Sequence, residues 1–314
     1  MTNSNNTNEI ILSICIPTRN RSEILRETLS SIFKSNVNKN HFEVIIYDTS
    51  DDLETLNLYR KEFNLSNIIY IRGADKGYLN LVESLKLGNG KFLKLHNDYS
   101  IFNHDAIEKL ILLVKSNEVK QPLIFFSNGL LKSGFVEQVN SMDSLLSRID
   151  YLCTWSTLFG IWNHDFIKLN HFVPDKMFPH TSILLQMNFK DSYIINNQFL
   201  FSNSPIKRKG GYDIFRVFSV DFLNLLNNSK SNGVISQKTF LQIKHNLLAD
   251  FFVKWYAQLI VFKNEYTFET QSLKKSILSN YSYWDLIYLV FSAYLYSMKL
   301  LLKKYIPYVN GRKK

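Results

Sequence analysis

A mainly parallel β-sheet flanked by helices, an α/β fold, is the architecture that this sequence predicts, and three observations carry the prediction. Short apolar runs alternate with helical patterns over residues 1–127. These runs are continuous, as is typical of strands buried on both faces of a parallel sheet. The helical patterns between them are long enough to connect parallel strands. After about residue 130 the alternation fades, and from about residue 212 the pattern is mostly helical.

The first two predicted strands are separated by a predicted amphipathic helix. The run "EIILSICIP" reads as a buried strand that ends at Pro17, and "FEVIIYD" as a second strand that ends at Asp48. Between them, "SEILRETLSSIF" places its apolar residues at helical spacing, which predicts an amphipathic helix. Its apolar face consists of Ile24, Leu25, Leu29, Ile32 and Phe33.

The following elements continue the alternation. A helix is predicted in "SDDLETLNLYRKEF", with Ser50 or Asp51 as its N-cap. A third strand, "NIIYIRG", leads to "GYLNLVESLKLGNG", a helix with glycines at its end, where C-caps favour them. A fourth strand, "KFLKLHND", precedes the helix "HDAIEKLILLVKSN" and a fifth strand, "PLIFFSN".

Composition limits the class of protein. The 314 residues are 46% hydrophobic, which is enough for a substantial core. The polar start "MTNSNNTNE" lacks the basic and apolar regions of a signal peptide, so we expect the protein to remain in the cytoplasm. Two cysteines, Cys15 and Cys153, do not suggest a disulfide framework.

The net charge of +10 suits nucleic acid, an anionic membrane surface or phosphorylated substrates as partners. No nucleic-acid-binding module is recognisable, so nucleic acid is not expected. One basic cluster is Lys207-Arg208-Lys209. A second cluster, with no acidic residue from its first member onward, consists of Lys299, Lys303, Lys304, Arg312, Lys313 and Lys314.

The C-terminal segment permits two interpretations. Its longest uncharged run, Leu286 to Met298, has 13 residues, whereas a membrane span needs about 20. An interfacial amphipathic helix and a core-packing helix with a basic tail are both consistent with this pattern. With the basic cluster that follows, the two interpretations are about equally supported.

Polar side chains follow the strands. Since ligands of an open parallel sheet bind beyond the carboxyl ends of its strands, these positions are the candidate site. Asp48 and Asp98 stand at two such ends. The turn after the first strand, "PTRNRS", has no glycine, which excludes a dinucleotide-binding fingerprint, and there is no P-loop. A bound phosphate would therefore need a metal ion, Arg or Lys, or a helix N-terminus.

Three motifs then resemble a known family. "LSICIPTRNR", "FEVIIYDTSDD" and "KGYLNLVESLKLGNGKFLKLHND" are similar, in order and spacing, to the nucleotide-sugar-binding half of the family 2 glycosyltransferases of GT-A fold. The resemblance covers residues 10 to about 105. More loosely, "TLFGIWNHDFI", "FPHTSILLQM" and "SPIKRKGGYDIFRVFSVDFLNLL" resemble the O-antigen and capsule branch that includes abequosyltransferase-like proteins.

The resemblance implies roles for individual residues. Asp48 would face the base or ribose of the donor, with Asp51 supporting its loop. Asp98 would hold a divalent cation, Mg²⁺ or Mn²⁺, although Tyr99 and Ser100 follow where the family often has a second aspartate. Asn97 and Ser100 could assist the cation, or Lys207, Arg208 or Lys209 could neutralise the diphosphate instead. The remaining donor-binding positions implied are Pro17, Thr18, Arg21, Lys76, Asn80, Asn97 and Arg208.

An inverting transfer also needs a base for the acceptor hydroxyl. The segment "PDKMFPHTSILLQM" offers His180, with Asp175 as the alternative.

The resemblance implies a glycosyltransferase domain over residues 1–210, with a nucleotide-sugar half of about 10–127 and an acceptor half of about 128–210, and a helical region over 211–314. The expected enzyme moves a sugar from a nucleotide-diphosphate donor to a lipid-linked or glycan acceptor, as in lipopolysaccharide or capsule synthesis. We expect it at the inner face of the cell membrane, in peripheral contact through the basic C-terminus. An inactive scaffold, a nucleic-acid-binding protein and a nucleotidyltransferase are the alternatives, and an oligomer is possible.

Overall fold

The computed structural model describes residues 9–206 and 209–310, with side chains described as far as residue 303. The chain divides into two compact units, Met1–Pro205 and Ile206–Lys314. The predicted assignment of separate roles to residues 1–210 and 211–314 stays a prediction.

The first unit is built on a five-stranded sheet in the order β3-β2-β1-β4-β8. The first four strands in this sheet run parallel, and β8 is antiparallel to β4. This confirms the predicted α/β class and its mainly parallel sheet. The strands are β1 (Leu12–Thr18), β2 (Phe42–Asp48), β3 (Ile68–Arg72), β4 (Phe92–Leu95) and β8 (Gly160–Trp162).

The apolar runs become the centre of the sheet. Every residue of β2 and of β4 is buried, as a strand covered on both faces requires. Helix α1 buries Leu25, Leu29 and Ile32 from its predicted apolar face. The helices of this unit are α1 (Ser22–Phe33), α2 (Glu54–Glu62), α3 (Asn80–Lys86), α4 (Ala106–Asn117), α5 (Met142–Ile149), α6 (Asn163–Lys168) and α7 (Pro179–Gln186). Short 3₁₀ turns occupy Lys39–His41, Gly77–Leu79, Asp150–Thr154, Ser156–Leu158 and Met187–Phe189.

Two local predictions differ from the structure. The run "PLIFFSN" forms a strand, but it pairs with β9 in a separate three-stranded sheet of order β6-β9-β7. The N-cap of α2 is Leu53, not Ser50 or Asp51, because those two residues hold the loop after β2 instead. The remaining strands of the unit are β5 (Ser100–Phe102), β6 (Leu123–Phe126), β7 (Val136–Val139), β9 (Tyr193–Asn196) and β10 (Phe201–Asn203), and β5 pairs with β10.

The second unit is mostly helical, with one short pair of parallel strands, β11 (Gly210–Asp213) and β12 (Thr267–Glu269). Its helices are α8 (Ile214–Arg216), α9 (Leu223–Ser231), α10 (Gln237–Asn246), α11 (Val253–Tyr256), α12 (Leu273–Leu278) and α13 (Tyr283–Asn310). A π-helical turn at Val217–Phe222 joins α8 to α9, and another at Leu247–Phe252 joins α10 to α11. A third follows α11 at Ala257–Val261. Packed aromatic rings such as Phe215, Phe251 and Phe252 form its core.

Helix α13 is longer and more apolar than its uncharged run suggested. Among the described residues, Tyr283–Lys303 is the one helical stretch with the length and composition to cross a membrane. Its mean hydropathy is 1.4, and 17% of it is buried. The expectation that no apolar stretch reaches that length is wrong, because the stretch continues through isolated charges at Asp285 and Lys299.

Candidate active site

The strand register brings the predicted polar residues to one edge of the sheet. Thr18 of β1 lies opposite Asp48 of β2, and Asp48 lies opposite Arg72 of β3. Asp98 follows β4, which is the other neighbour of β1. The prediction that Asp48 and Asp98 stand at the same edge is therefore consistent with the sheet order.

Asp98 is held by the turn after β1. Its carboxylate accepts a hydrogen bond from Thr18 Oγ1 at 2.8 Å and pairs with Arg21 Nη1 at 3.2 Å. Its backbone carbonyl accepts from Thr28 Oγ1 of α1 at 2.9 Å. The side chain is only 2% exposed. Burial raises the pKa of Asp98, and the Arg21 charge and the Thr18 hydrogen bond oppose the rise. The Arg21 guanidinium also lies 5.9 Å from the centre of the Tyr99 ring.

Asp48 is held by its own loop and by the neighbouring strand. One carboxylate oxygen accepts from the Ser50 N–H at 2.9 Å, and the other accepts from the Tyr70 hydroxyl at 2.6 Å. Tyr70 stacks on Tyr59 with ring centres 4.9 Å apart. Burial is the largest cause of the raised pKa of Tyr70, and the hydrogen bond to Asp48 adds to it. Sequence reasoning missed Tyr70, since it lies inside a strand rather than at its end.

A network of exposed polar side chains closes the outer edge of the site. Asp51 accepts from Asn20 Nδ2 at 2.7 Å, and its own N–H donates to Asn20 Oδ1 at 2.8 Å. Arg19 pairs with Asp51 at 3.2 Å and also with Asp75. The Asn20 hydrogen bond lowers the pKa of Asp51, and the Arg19 charge lowers it further. Sequence reasoning gave Arg19 no role, although it stands in the turn "PTRNRS" directly after β1.

Asn80 orders the loop before α3. Its side-chain oxygen accepts from the Lys76 N–H at 2.9 Å, and its amide donates to Asp75 Oδ1 at 3.2 Å. The same amide lies 3.3 Å from Thr49 Oγ1, in the loop after β2. Lys76 pairs through its ammonium with Glu83 at 3.3 Å. The loop that carries Lys76 is therefore tied to the loop that carries Asp48.

The residues around Asp98 do not form a preassembled metal site. Asn97 Oδ1 accepts from Ser156 Oγ at 2.9 Å, and Ser100 Oγ donates to Asn203 Oδ1 at 2.6 Å. Both side chains are thus engaged elsewhere. Within residues 9–206 and 209–310, no group of three or more His, Cys, Asp or Glu side chains could hold a metal ion. Asp98 would be the single carboxylate ligand of any cation here, and hard cations prefer several oxygen ligands.

The two candidate bases differ in their surroundings. His180, at the start of α7, is 4% exposed, and within the described part of the chain neither ring nitrogen makes a hydrogen bond of normal geometry, although the Thr154 backbone lies near the ring. Burial lowers the pKa of His180 to about 4, opposed in part by the Thr154 backbone, so the ring is neutral at pH 7. Asp175 is half-buried, and its Oδ1 accepts from the N–H groups of Met177 and Phe178 at 2.8 and 2.7 Å. Neither assignment is tested by these contacts.

For two predicted donor-binding residues, Pro17 and Arg208, the structure gives no side-chain contact at the site. Pro17 is half-buried in β1, opposite Tyr47. Arg208 and its neighbour Lys207 lie outside the described residues. Both cysteines are buried free thiols.

A comparison with protein families finds one match that covers the residues of this edge. The profile described as Glycosyl transferase family 2 matches residues 13–134, which include Thr18, Asp48 and Asp98. The matched segment, which is less than half of the chain, is thus similar to the family 2 glycosyltransferases. The prediction that the protein is an enzyme of the glycosyltransferase class is confirmed. No curated protein matches the chain.

Solved structures share the fold of the family 2 domain. S. aureus TarS 1–349 in complex with UDP-GlcNAc is 16% identical, with a TM-score of 0.59 over 86% of this chain and 79% of that one. The same protein in complex with UDP is 18% identical, with a TM-score of 0.58 over 85% and 78%. The mannosyltransferase PcManGT from Pyrobaculum calidifontis, in complex with GDP-Man and Mn²⁺, is 12% identical, with a TM-score of 0.50 over 91% and 80%. Against a longer TarS chain, this chain covers 46% of its length, with 16% identity and a TM-score of 0.55. These likenesses confirm the predicted GT-A fold.

Proposed function

We propose that the protein transfers a sugar from a nucleotide-diphosphate donor to a hydroxyl group of a glycan acceptor, with inversion at the anomeric carbon. The observation that carries the proposal is the ion pair between buried Asp98 and partly exposed Arg21, at the carboxyl edge of a sheet whose parallel strands fall almost entirely in the segment that matches the family 2 model. Ligands of open parallel sheets bind at this edge. A guanidinium group there suits a diphosphate, since its planar fork matches phosphate oxygens.

In this proposal Asp48 orients the nucleoside. Tyr70 and the Ser50 N–H fix the orientation of its carboxylate. An N–H of the base or a hydroxyl of the ribose would therefore find a carboxylate oxygen held in a defined direction for a hydrogen bond. Asp51 and Asn80 hold the two loops at the outer edge, and Pro17 and Thr18 shape the turn beneath. TarS and PcManGT were solved with UDP-GlcNAc and GDP-Man respectively, which supports a nucleotide-sugar donor of this class without identifying its base.

A divalent cation belongs to the proposal only as an ion that enters with the donor. Asp98 would be its one protein carboxylate, with the remaining ligands from the diphosphate and water. When bound, Mg²⁺ or Mn²⁺ would neutralise charge that develops on the leaving diphosphate. To reach Asp98 the ion would have to share or displace Arg21, because Asp98 already pairs with it.

The acceptor oxygen would attack the anomeric carbon as the bond from that carbon to the diphosphate breaks. A base takes the acceptor proton, and we assign this role to His180, with Asp175 as the alternative. A neutral imidazole can accept a proton through the ring nitrogen that does not face the Thr154 backbone. Because the ring is buried, the acceptor has to enter against α7 for this assignment to hold.

For the acceptor we propose a growing surface glycan, such as a lipopolysaccharide or capsule precursor, in the abequosyltransferase-like branch. The support is the looser resemblance of residues 157–226 to that branch. A lipid-linked acceptor would place the reaction at the inner face of the cell membrane, in keeping with the basic C-terminal residues.

Calorimetric titration tests the donor site. The wild-type protein is titrated with UDP, GDP, CDP and dTDP, each with and without Mn²⁺, beside Asp98→Asn. Asp105→Asn is the matched control, since Asp105 is an exposed aspartate of the same unit. We expect one nucleotide to bind selectively, and Asp98→Asn to abolish any enhancement by Mn²⁺. Selective binding that Mn²⁺ does not change would assign the diphosphate to basic residues alone.

If no nucleotide bound, the proposal would be wrong, and an inactive family member in a glycan-assembly complex would replace it. The missing second aspartate after Asp98 is the observation that favours this alternative. Hydrolysis or transfer of a radiolabelled sugar from the selected donor class would exclude it.

A further inference from the structure

One face of α13 carries a continuous row of exposed apolar side chains. We name this row the apolar stripe. It consists of Trp284, Tyr288, Phe291, Leu295, Met298 and Leu302, each between 45% and 77% exposed. Their spacing of four and three residues keeps them on one side of a helix. No charged residue interrupts the stripe.

The opposite face of α13 is already covered. Leu289, Ala293 and Ser297 are spaced four residues apart and are at most 2% exposed. They belong to a helix that packs against α11 and the neighbouring π-helical turns of the same unit. A helix that crossed a bilayer alone would have to abandon this packing. One covered face and one exposed apolar face are the arrangement of a helix that lies in the plane of a membrane surface.

The width and charge of the exposed face indicate what covers it. Ile287, Tyr294 and Leu301 are also exposed and lie beside the stripe, which widens it to an arc of about 140°. A coiled-coil seam is narrower and is flanked by charged residues, so a second copy of this chain fits less well. Exposed Lys299 and Lys303 begin the basic C-terminal cluster, which has no acidic residue. Such a cluster beside an apolar face suits anionic lipid headgroups.

We propose that the apolar stripe of α13 docks the protein on an anionic membrane surface, with the helix parallel to that surface. Trp284, Tyr288 and Tyr294 suit the boundary between acyl chains and headgroups, where aromatic rings with a polar edge are favoured. Lys299 and Lys303 add attraction for anionic headgroups. The stripe belongs to the second unit, and its proposed docking does not depend on the donor proposal.

Vesicle co-sedimentation of the full chain tests the proposal. The vesicles are phosphatidylcholine alone and an equimolar mixture of phosphatidylcholine and phosphatidylglycerol. The test variant is Leu295→Glu, and Leu241→Glu is the matched control, because both leucines are 49% exposed in the same unit. We expect binding to the anionic vesicles only, at least tenfold weaker in Leu295→Glu and unchanged in Leu241→Glu. Lys299→Gln with Lys303→Gln should weaken binding by about fivefold for each lysine removed.

Further measurements separate the remaining outcomes. Blue-shifted tryptophan emission on vesicle addition that disappears in Trp284→Phe, with binding retained, would place Trp284 at the lipid. Release of bound protein by high salt or alkaline carbonate is expected of a helix that lies on the surface, and retention would overturn that orientation. No vesicle binding, or equal loss in Leu295→Glu and Leu241→Glu, would refute the proposal. A dimer by light scattering that Leu295→Glu dissolves would assign the stripe to a second copy instead.

Discussion

Replacement of Arg21 by methionine should destabilise the protein, because it leaves the buried Asp98 carboxylate with one side-chain partner. Asp98 is 2% exposed, while Arg21 is 38% exposed. A hydrogen bond to a charged group contributes about 1.5–3 kcal/mol, and partial exposure of Arg21 reduces that contribution. We therefore expect a loss of about 2 kcal/mol at neutral pH. For a unit of this size, that loss lowers the melting temperature by about 4–8 °C.

The chain offers a matched control in Arg26→Met. Arg26 is 40% exposed and pairs with Glu62, which is 42% exposed, so its pair is solvated on both sides. Exposed pairs add little to stability, so the melting temperature should fall clearly less in Arg26→Met than in Arg21→Met. Thermal unfolding of both variants, followed by circular dichroism, measures the difference. Equal shifts for Arg21→Met and Arg26→Met would refute the reasoning that burial of Asp98 sets the cost.

The same pair predicts a pH dependence. Burial raises the pKa of Asp98, and the Arg21 charge limits the rise, so Arg21→Met should raise that pKa further. A group with a raised folded-state pKa loses stability as pH rises through that pKa. The destabilisation by Arg21→Met should therefore be largest at neutral pH and should shrink as the pH falls and Asp98 becomes protonated. A destabilisation that stays constant over this range would contradict the assignment to Asp98.

Two further predictions concern Asp48 and His180. Tyr70→Phe should lower the free energy of unfolding by about 1.5–3 kcal/mol, because it removes a charge-assisted hydrogen bond to buried Asp48. Tyr59→Phe removes only an exposed hydrogen bond and should lower it by less than about 1 kcal/mol. Urea unfolding compares the two variants, and equal losses of stability would argue against the Asp48 contact. Since burial lowers the pKa of His180 to about 4, stability gained by keeping the ring neutral is present above its ordinary value and is lost as pH falls through about 4. The stability of His180→Phe should therefore fall less steeply over that range than the stability of the wild type. If His180 is the base, kcat/KM of the wild type should fall at the same pH, and His180→Asn should abolish sugar transfer.

The sequence was informative where burial is continuous. The apolar runs of β1, β2 and β4 could form only buried strands, and residues placed directly after them had to meet at one sheet edge. That reasoning located Asp48 and Asp98. It misplaced the run of β6, because a short apolar run indicates burial but not which sheet it joins.

Pairings that depend on register were not predictable. Tyr70 lies opposite Ile46 in the sheet, two residues along from Asp48, and reaches it diagonally across the strands. Likewise, Arg21 reaches Asp98 across 77 positions of sequence. For α13, isolated charged residues made the apolar run look shorter than the helix of 28 residues that it belongs to. Its exposed apolar stripe can be identified only once the structure shows which face of the helix is buried.

A site for an anionic donor has to avoid repulsion between the donor's phosphates and its own carboxylates. In this chain, the contacts divide the problem. Asp98 pairs with Arg21, and Asp51 and Asp75 share Arg19, so these three carboxylates each have a cation beside them. Asp48 has no such cation among its hydrogen bonds and instead faces Tyr70 and a backbone N–H. A carboxylate that is satisfied without a cation is suited to a neutral base or ribose, whereas in the proposed function the paired carboxylates would hold Arg19 and Arg21 toward phosphate. The distribution of partners thus orients the proposed donor along the edge, with its nucleoside toward Asp48 and its diphosphate toward Arg21.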